Sequence, residues 1–171
     1  MDNKEISRQL MDMAKEDQAI RKSLDFSDEV RIKMTTLDES NIKQLKLIIE
    51  QLGLPTISKV GKKASASAWL IAQHSPEQEF RKDYLRLMKQ HLDDVDQKNL
   101  ATMQDRVNMN DGKPQTYGTQ FTQVKEGEFK LWKVHDQKNL DKRRAEIGMS
   151  SMSAEIKRIS KNYRGKYKFF E

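Results

Sequence analysis

Apolar residues recur at helical spacing near the start of the chain, and this pattern constrains the fold more than any other feature. Ile6, Leu10, Met13 and Ala14 fall three or four residues apart, and charged residues fill the opposite face. The pattern predicts an amphipathic helix with one side in a hydrophobic core. Similar spacing returns in later segments. The sequence therefore predicts a mainly α protein, a compact helical domain of about six to seven helices with one small β-hairpin.

Glycine, proline and capping residues predict where the later elements begin and end. Gly53 and Pro55 end one helical pattern, and Ser75 with Pro76 is typical of the start of another. The segments on either side of Gly127 predict the hairpin. Helices are expected at about 28–37, 42–52, 64–74, 76–92, 97–108, 136–147 and after Ser151, and strands at 118–124 and 129–134.

Size and composition favour a protein of a reducing compartment. The chain has 171 residues and no cysteine, which excludes a disulfide framework and a cysteine nucleophile. Its charged first residues lack the apolar core of a secretory signal, and no segment approaches roughly 18 consecutive apolar residues. We expect a cytoplasmic protein with no membrane contact. Residues 1–152 are predicted to form a single helical domain, with 153–171 as a basic aromatic helix or tail docked on it.

The end of the chain carries most of the net charge of +6. Aromatic residues alternate with these charges, so the tail could hold phosphates and stack bases. A solvated final helix whose aromatic rings dock on the body is the commoner arrangement. A nucleic acid or protein partner for residues 157–171 is therefore a secondary hypothesis. The basic residues are Lys157, Arg158, Lys161, Arg164, Lys166 and Lys168, and the aromatic residues are Tyr163, Tyr167, Phe169 and Phe170.

Two groups of polar residues are candidates for one shared site. Asp105 and Arg106 end a predicted helix shortly before the glycine-containing segment 115–120, and His74 closes an apolar, small-residue segment. An imidazole oriented by a carboxylate can transfer protons near neutral pH. His74 is therefore the candidate general acid or base, with Asp105 as its orienting carboxylate. A buried structural histidine and a helix-end ion pair are the competing interpretations.

Guanidinium and amide groups near these positions suit recognition of a small anionic ligand. The competing interpretations are an ion pair within a helix, satisfaction of backbone groups beside the hairpin, and arginines that favour the negative end of a helix. The candidate substrate-binding residues are Asp17, Arg21, Arg106, Gln115, Tyr117, Thr119, Gln120, Arg143 and Arg144.

Known cofactor and metal motifs do not occur in the sequence. Gly61-Lys62-Lys63 lacks the glycine spacing of a phosphate-binding loop, and no dinucleotide-binding pattern is present. No His-x-x-x-His or His-Glu-x-x-His spacing supports a metal site. The cofactor is therefore left unknown, and a catalytic metal is not favoured.

The motifs taken together resemble a largely bacterial family, the domain-of-unknown-function family 6624, over about residues 14–152. The resemblance implies a mainly helical domain and polar motifs that form one site, and it implies no established activity. One departure is Leu54, where the family's Gly-Trp-Pro pattern leads us to expect tryptophan. The motifs are Asp17-Gln18-x-x-Arg21, Gly53-Leu54-Pro55-Thr56, Val60-Gly61-x-x-Ala64-Ser65, His74, Asp105-Arg106-Val107, Gln115-x-Tyr117-Gly118-Thr119-Gln120 and Arg143-Arg144-Ala145-x-x-Gly148.

These observations predict an enzyme, a hydrolase or transferase, that acts on a small anionic or phosphorylated substrate. The first alternative is a noncatalytic ligand-binding or protein-binding module that uses the same residues. The second is binding of nucleic acid or a partner through the basic tail.

Overall fold

The computed structural model describes residues 2–22, 27–163 and 165–171, so Arg164 of the basic tail lies outside the described residues. The mainly α fold is confirmed, with eight α-helices, two short 3-10 helices and a three-stranded sheet in the described part. None of the described helices is both long and apolar enough to cross a membrane. The chain forms two compact units, one ending at Asn99 and the other beginning at Leu100.

The N-terminal unit, up to Asn99, is helical. It contains α1 (Asn3–Lys22), α2 (Asp28–Leu52), α3 (Ile57–Val60), α4 (Lys62–His74), α5 (Gln78–Lys89) and a 3-10 helix at Leu92–Asp94. The C-terminal unit contains most of α6 (Gln97–Asn110), then β1 (Phe121–Lys125), β2 (Glu128–Leu131), a 3-10 helix at Gln137–Asn139, α7 (Leu140–Glu146), α8 (Met152–Asn162) and β3 (Lys168–Phe170).

Helices α1, α2 and α4 pack against one another and form the three-helix frame of the N-terminal unit. Ser7, early in α1, donates a hydrogen bond to the carbonyl of Val60, and Asp17, late in α1, meets His74 at the end of α4. These two contacts show that α1 and α4 run in the same direction. The buried apolar stripe of α1 predicted from the sequence is present, with Ile6 and Leu10 fully buried.

Helix α2 is one continuous helix of 25 residues, where the sequence predicted two segments. The predicted break fell at Asp38-Glu39-Ser40, because such residues often cap helices. The Asp38 carboxylate instead binds the Arg21 guanidinium of α1. Asn41 and Ile42 on the next turn are buried, and this packing keeps the helix continuous across the polar segment.

Helix α5 begins two residues later than its expected start. Ser75 Oγ accepts a hydrogen bond from the Glu77 N–H, so it holds the turn before the helix. Gln78, expected as a capping-box residue, uses its side-chain oxygen to accept hydrogen bonds from Arg81. The helix ends at Lys89, three residues before its expected end, and a 3-10 helix begins at Leu92.

The C-terminal unit contains the predicted hairpin, with shorter strands than expected. β1 and β2 pair antiparallel, and β3 adds a third strand that pairs parallel with β2. Leu131, Leu140 and Met152 are buried beside this sheet, and Phe121, Val134 and Ile156 pack against them. The third strand was missed because its alternating basic and aromatic residues were interpreted as part of a helix or tail.

The aromatic residues of the C-terminal segment contact each other and the hairpin. The Phe169 ring stacks on Phe129, with centroids 5.1 Å apart, and on Tyr163, with centroids 5.6 Å apart. It also meets the edge of Phe121. These ring faces are used within the unit, which weakens the hypothesis that they stack on nucleic acid bases. The division of the chain into 1–152 and 153–171 stays a prediction.

Replacing Phe169 with alanine is expected to destabilise the C-terminal unit by about 2 kcal/mol, because three aromatic contacts and partly buried ring area are lost. Phe170→Ala is the matched control, since Phe170 is 37% exposed, and its effect is expected to stay within about 0.5 kcal/mol. Urea unfolding followed by circular dichroism measures both values. Equal effects of the two substitutions contradict the packing role of Phe169.

Candidate functional site

A histidine and a buried carboxylate meet at one end of the three-helix frame. His74 Nδ1 lies 2.9 and 3.0 Å from the two carboxylate oxygens of Asp17. Asp17 is 1% exposed, whereas the His74 side chain is 22% exposed. His74 Nε2 makes no hydrogen bond with a described residue. The neutral imidazole therefore carries its proton on Nδ1, and Nε2 is left with a lone pair.

An arginine links this pair to a second carboxylate. Arg21 Nε donates to Asp17 across 2.9 Å, one turn apart on α1, and its Nη2 donates to Asp38 of α2. Gln18 donates to the other Asp17 oxygen. Asp17 thus receives hydrogen bonds from three side chains, so both of its oxygens are paired although it is almost fully buried.

The surroundings of the two carboxylates move their pKa values in opposite directions. Burial by itself raises the pKa of Asp17, but the hydrogen bond and charge of His74, with the hydrogen bonds from Gln18 and Arg21, lower it to about 2. Burial raises the pKa of Asp38, and the contact with Arg21 only partly opposes it. Asp17 therefore stays ionised at every pH at which the protein is expected to work.

Asp105 belongs to a different arrangement, inside the C-terminal unit. Its carboxylate is 0% exposed and accepts hydrogen bonds from the backbone N–H groups of Thr116, Tyr117 and Thr119, and from the Thr119 hydroxyl. Burial raises the pKa of Asp105, and these hydrogen bonds act against that rise. The segment 116–119 is folded around the carboxylate, which acts as an internal anchor for the loop.

Side-chain amides and backbone groups close the ends of the same loop. Gln115 donates to the carbonyls of Gln120 and Trp132, and its side-chain oxygen accepts from the Gln120 N–H. Gln120 in turn donates to the Thr119 hydroxyl. Gln115 is 0% exposed, so its amide is used in joining the loop to the segment after β2.

Two neighbouring arginines of α7 bind the carbonyl groups of this loop. Arg143 donates to the Thr116 carbonyl across 3.0 Å, and Arg144 donates to the Tyr117 carbonyl across 2.6 Å. Arg144 is 2% exposed, and burial lowers the pKa of its guanidinium. The Asp105 carboxylate therefore binds N–H groups of the loop, and the guanidinium groups of the two arginines bind its carbonyl groups.

The sequence profile of a family of unknown function, DUF6624, matches residues 4–168. The chain belongs to this family. No curated protein and no solved structure matches the chain. The match extends past the resemblance seen in the sequence and includes most of the basic C-terminal segment.

The candidate site residues predicted from the sequence fall into two groups. His74, Asp17 and Arg21 come together in the N-terminal unit, and Asp17 occupies the place beside His74 that the sequence analysis gave to Asp105. The second group forms the loop anchor of the C-terminal unit. It contains Asp105, Gln115, Tyr117, Thr119, Gln120, Arg143 and Arg144, with Arg106 half-buried on α6 beside Asp105.

Asp38 and Gln18 were missed as site residues. Asp38 lies 17 positions from Arg21, and no helical spacing connects residues on two different helices. Gln18 is part of a motif in the sequence, but the sequence does not show that its side chain turns toward the neighbouring Asp17. Among the described residues, no group of three or more histidine, aspartate or glutamate side chains could hold a metal ion.

The low pKa of Asp17 predicts acid-dependent stability. Because its pKa in the folded protein lies below the ordinary value of 3.8, the ionised carboxylate stabilises the fold above about pH 4. This contribution is about 2 kcal/mol and is lost as the pH falls toward 2. Urea unfolding of the wild type and Asp17→Asn from pH 6 to pH 2 measures it. The difference between the two proteins is expected to shrink as the pH falls, and a constant difference contradicts the assignment.

Removal of the Asp105 carboxylate is expected to destabilise the C-terminal unit by more than about 3 kcal/mol, because Asp105→Ala leaves several buried N–H groups without an acceptor. Backbone amide hydrogen exchange at Thr116, Tyr117 and Thr119 is expected to accelerate. Glu126→Ala, at an exposed position in the hairpin turn, is the control. Slow exchange at these amides in Asp105→Ala contradicts the anchor role.

Proposed function

We propose that this DUF6624 chain is a hydrolase or transferase that uses His74 as its general acid and base. One observation carries the proposal: Asp17 holds Nδ1 of a partly exposed imidazole, while Nε2 has no hydrogen bond with a described residue. A carboxylate and histidine in this relation form an oriented proton-transfer pair.

The proton movements follow from the two ring nitrogens. Nε2 accepts a proton from a water or hydroxyl nucleophile as that oxygen attacks the substrate, and the ring becomes an imidazolium. Asp17 stabilises this cation through the Nδ1–H hydrogen bond and does not take the proton itself, because its pKa is about 2. Nε2–H then returns the proton to the leaving group, so His74 ends each cycle in its starting state.

Arg21 is better suited to positioning than to binding an anion. Its guanidinium already meets Asp17 and Asp38, so the positive charge is balanced within the network. With His74 neutral and both carboxylates ionised, the four-residue group has a net charge of −1. This balance argues against Arg21 as an anion clamp, and we propose instead that it fixes the carboxylate that orients His74.

Replacement of His74 with glutamine is expected to lower turnover at least about a hundredfold without unfolding the protein, because the general acid–base group is lost. Thermal-shift screening against carboxylic esters, phosphate esters and nucleotides identifies binding compounds, and turnover of those compounds is then measured. His91→Gln, elsewhere in the same unit, is the matched control and should keep wild-type turnover.

Imidazole nitrogen chemical shifts provide a test that needs no substrate. His74 is expected to show the Nδ1–H tautomer in the wild type and a mixture of tautomers in Asp17→Asn. A folded His74→Gln variant with full turnover overturns the proposal. Binding of a compound without any turnover by the wild type favours a noncatalytic binding module instead.

A further inference from the structure

A groove between α1 and α4 of the N-terminal unit borders the His74 site at Gln18, which lines the groove and also donates a hydrogen bond to Asp17. Its volume is about 640 Å³. On α1, the lining positions begin at Met11 and recur every three or four residues as far as Lys22, so they form a single stripe along the helix. The stripe extends for about 16 Å, or three turns. Helix α4 contributes about one turn to the lining, with Lys63, Ala66 and Ser67. The three-turn stripe on α1 has the length of a docking place for another helix.

The floor of the groove is made of small and flexible side chains. Ala14 and Ala19 of α1 and Ala66 of α4 let another backbone come close, and Met11, which is 39% exposed, can adapt its shape to a partner. Exposed apolar atoms in such a position gain free energy when they are covered. The occupant must therefore present an apolar face.

The rim of the groove carries positive charge only. Lys15, Lys22 and Lys63 line it and are all exposed, and no acidic residue is among the lining residues. None of the three lysines forms an ion pair with a described residue. By contrast, two cations of α5 are paired with a nearby carboxylate, in Lys82–Glu79 and Arg86–Asp83. The lysines of the groove are available to an acidic partner.

We propose that this groove binds an acidic amphipathic helix of a partner protein. The apolar face of the partner helix covers the alanine floor, and its glutamate or aspartate residues pair with Lys15, Lys22 and Lys63. The length of the stripe, its helical periodicity and its uniform charge support this occupant over a compact anion, which one or two lysines could bind without an apolar floor.

The probe for the test is a synthetic helical peptide of about 15 residues, with alanine and leucine on one face and glutamate on both sides of that face. The same peptide with lysine in place of each glutamate is its control. Fluorescence anisotropy with the full-length protein is expected to show binding of the acidic peptide only. The affinity should weaken when the salt concentration rises from about 0.05 M to about 0.5 M.

Matched protein variants locate the binding surface. Lys15→Glu with Lys63→Glu is expected to weaken the affinity at least about tenfold, because two attractive contacts become repulsive. Lys4→Glu with Lys43→Glu changes the net charge equally at exposed positions outside the groove, and the affinity should change less than about twofold. Ala66→Trp fills the groove and should also prevent binding.

Three results overturn the proposal. The first is no binding of the acidic peptide, and the second is equal loss of affinity in both charge-reversal variants. The third is a wild-type dimer in sedimentation that Ala66→Trp dissociates, because the occupant is then a second copy of the chain. His74→Gln is expected to bind the peptide like the wild type, so this test does not depend on the proposed catalytic role.

Discussion

Pairing of buried carboxylates is the interaction on which both units depend. A carboxylate that leaves water must receive hydrogen bonds or opposite charge, and otherwise the fold loses several kcal/mol. Asp17 and Asp105 are 1% and 0% exposed, and each is surrounded by donors. In each unit most of the candidate site residues lie around one of these two carboxylates. The positions of these residues follow from the requirement that an almost fully buried anion be satisfied.

The two carboxylates differ in whether their hydrogen-bond partners have a further polar atom that can bind another molecule. The donors of Asp105 are backbone N–H groups and a hydroxyl of one loop, and the arginines beside it bind carbonyls of the same loop. These polar groups are therefore used in contacts within the unit. Asp17 instead orients His74, whose second ring nitrogen is not used by a described residue. The contrast separates a group that holds a loop from a group that can act on another molecule.

The sequence predicted the helices well where the apolar spacing was regular, as in α1, and less well where polar residues interrupted a helix, as at Asp38. The hairpin followed from its glycine turn. Strand β3 could not be predicted, because it depends on pairing with β2 about forty residues earlier. His74 was chosen as a candidate for its chemistry, but its partner was not, since spacing along the chain does not show which of several carboxylates faces an imidazole from another helix.

The loop around Asp105 has a consequence for the substitutions that this chain can accept. The carboxylate binds N–H groups and the arginines bind carbonyls, and every amino acid except proline supplies both. At position 118, by contrast, glycine itself is favoured. Its φ is +67°, and an added Cβ would lie 3.1 Å from Met152 Sδ. The hydrogen bonds that Thr116 and Tyr117 make to Asp105 and to the arginines use main-chain atoms, so a substitution other than proline keeps the groups that form them. The shape of this loop therefore depends on main-chain groups at residues 116 and 117, and on the residue type at Gly118 and Thr119.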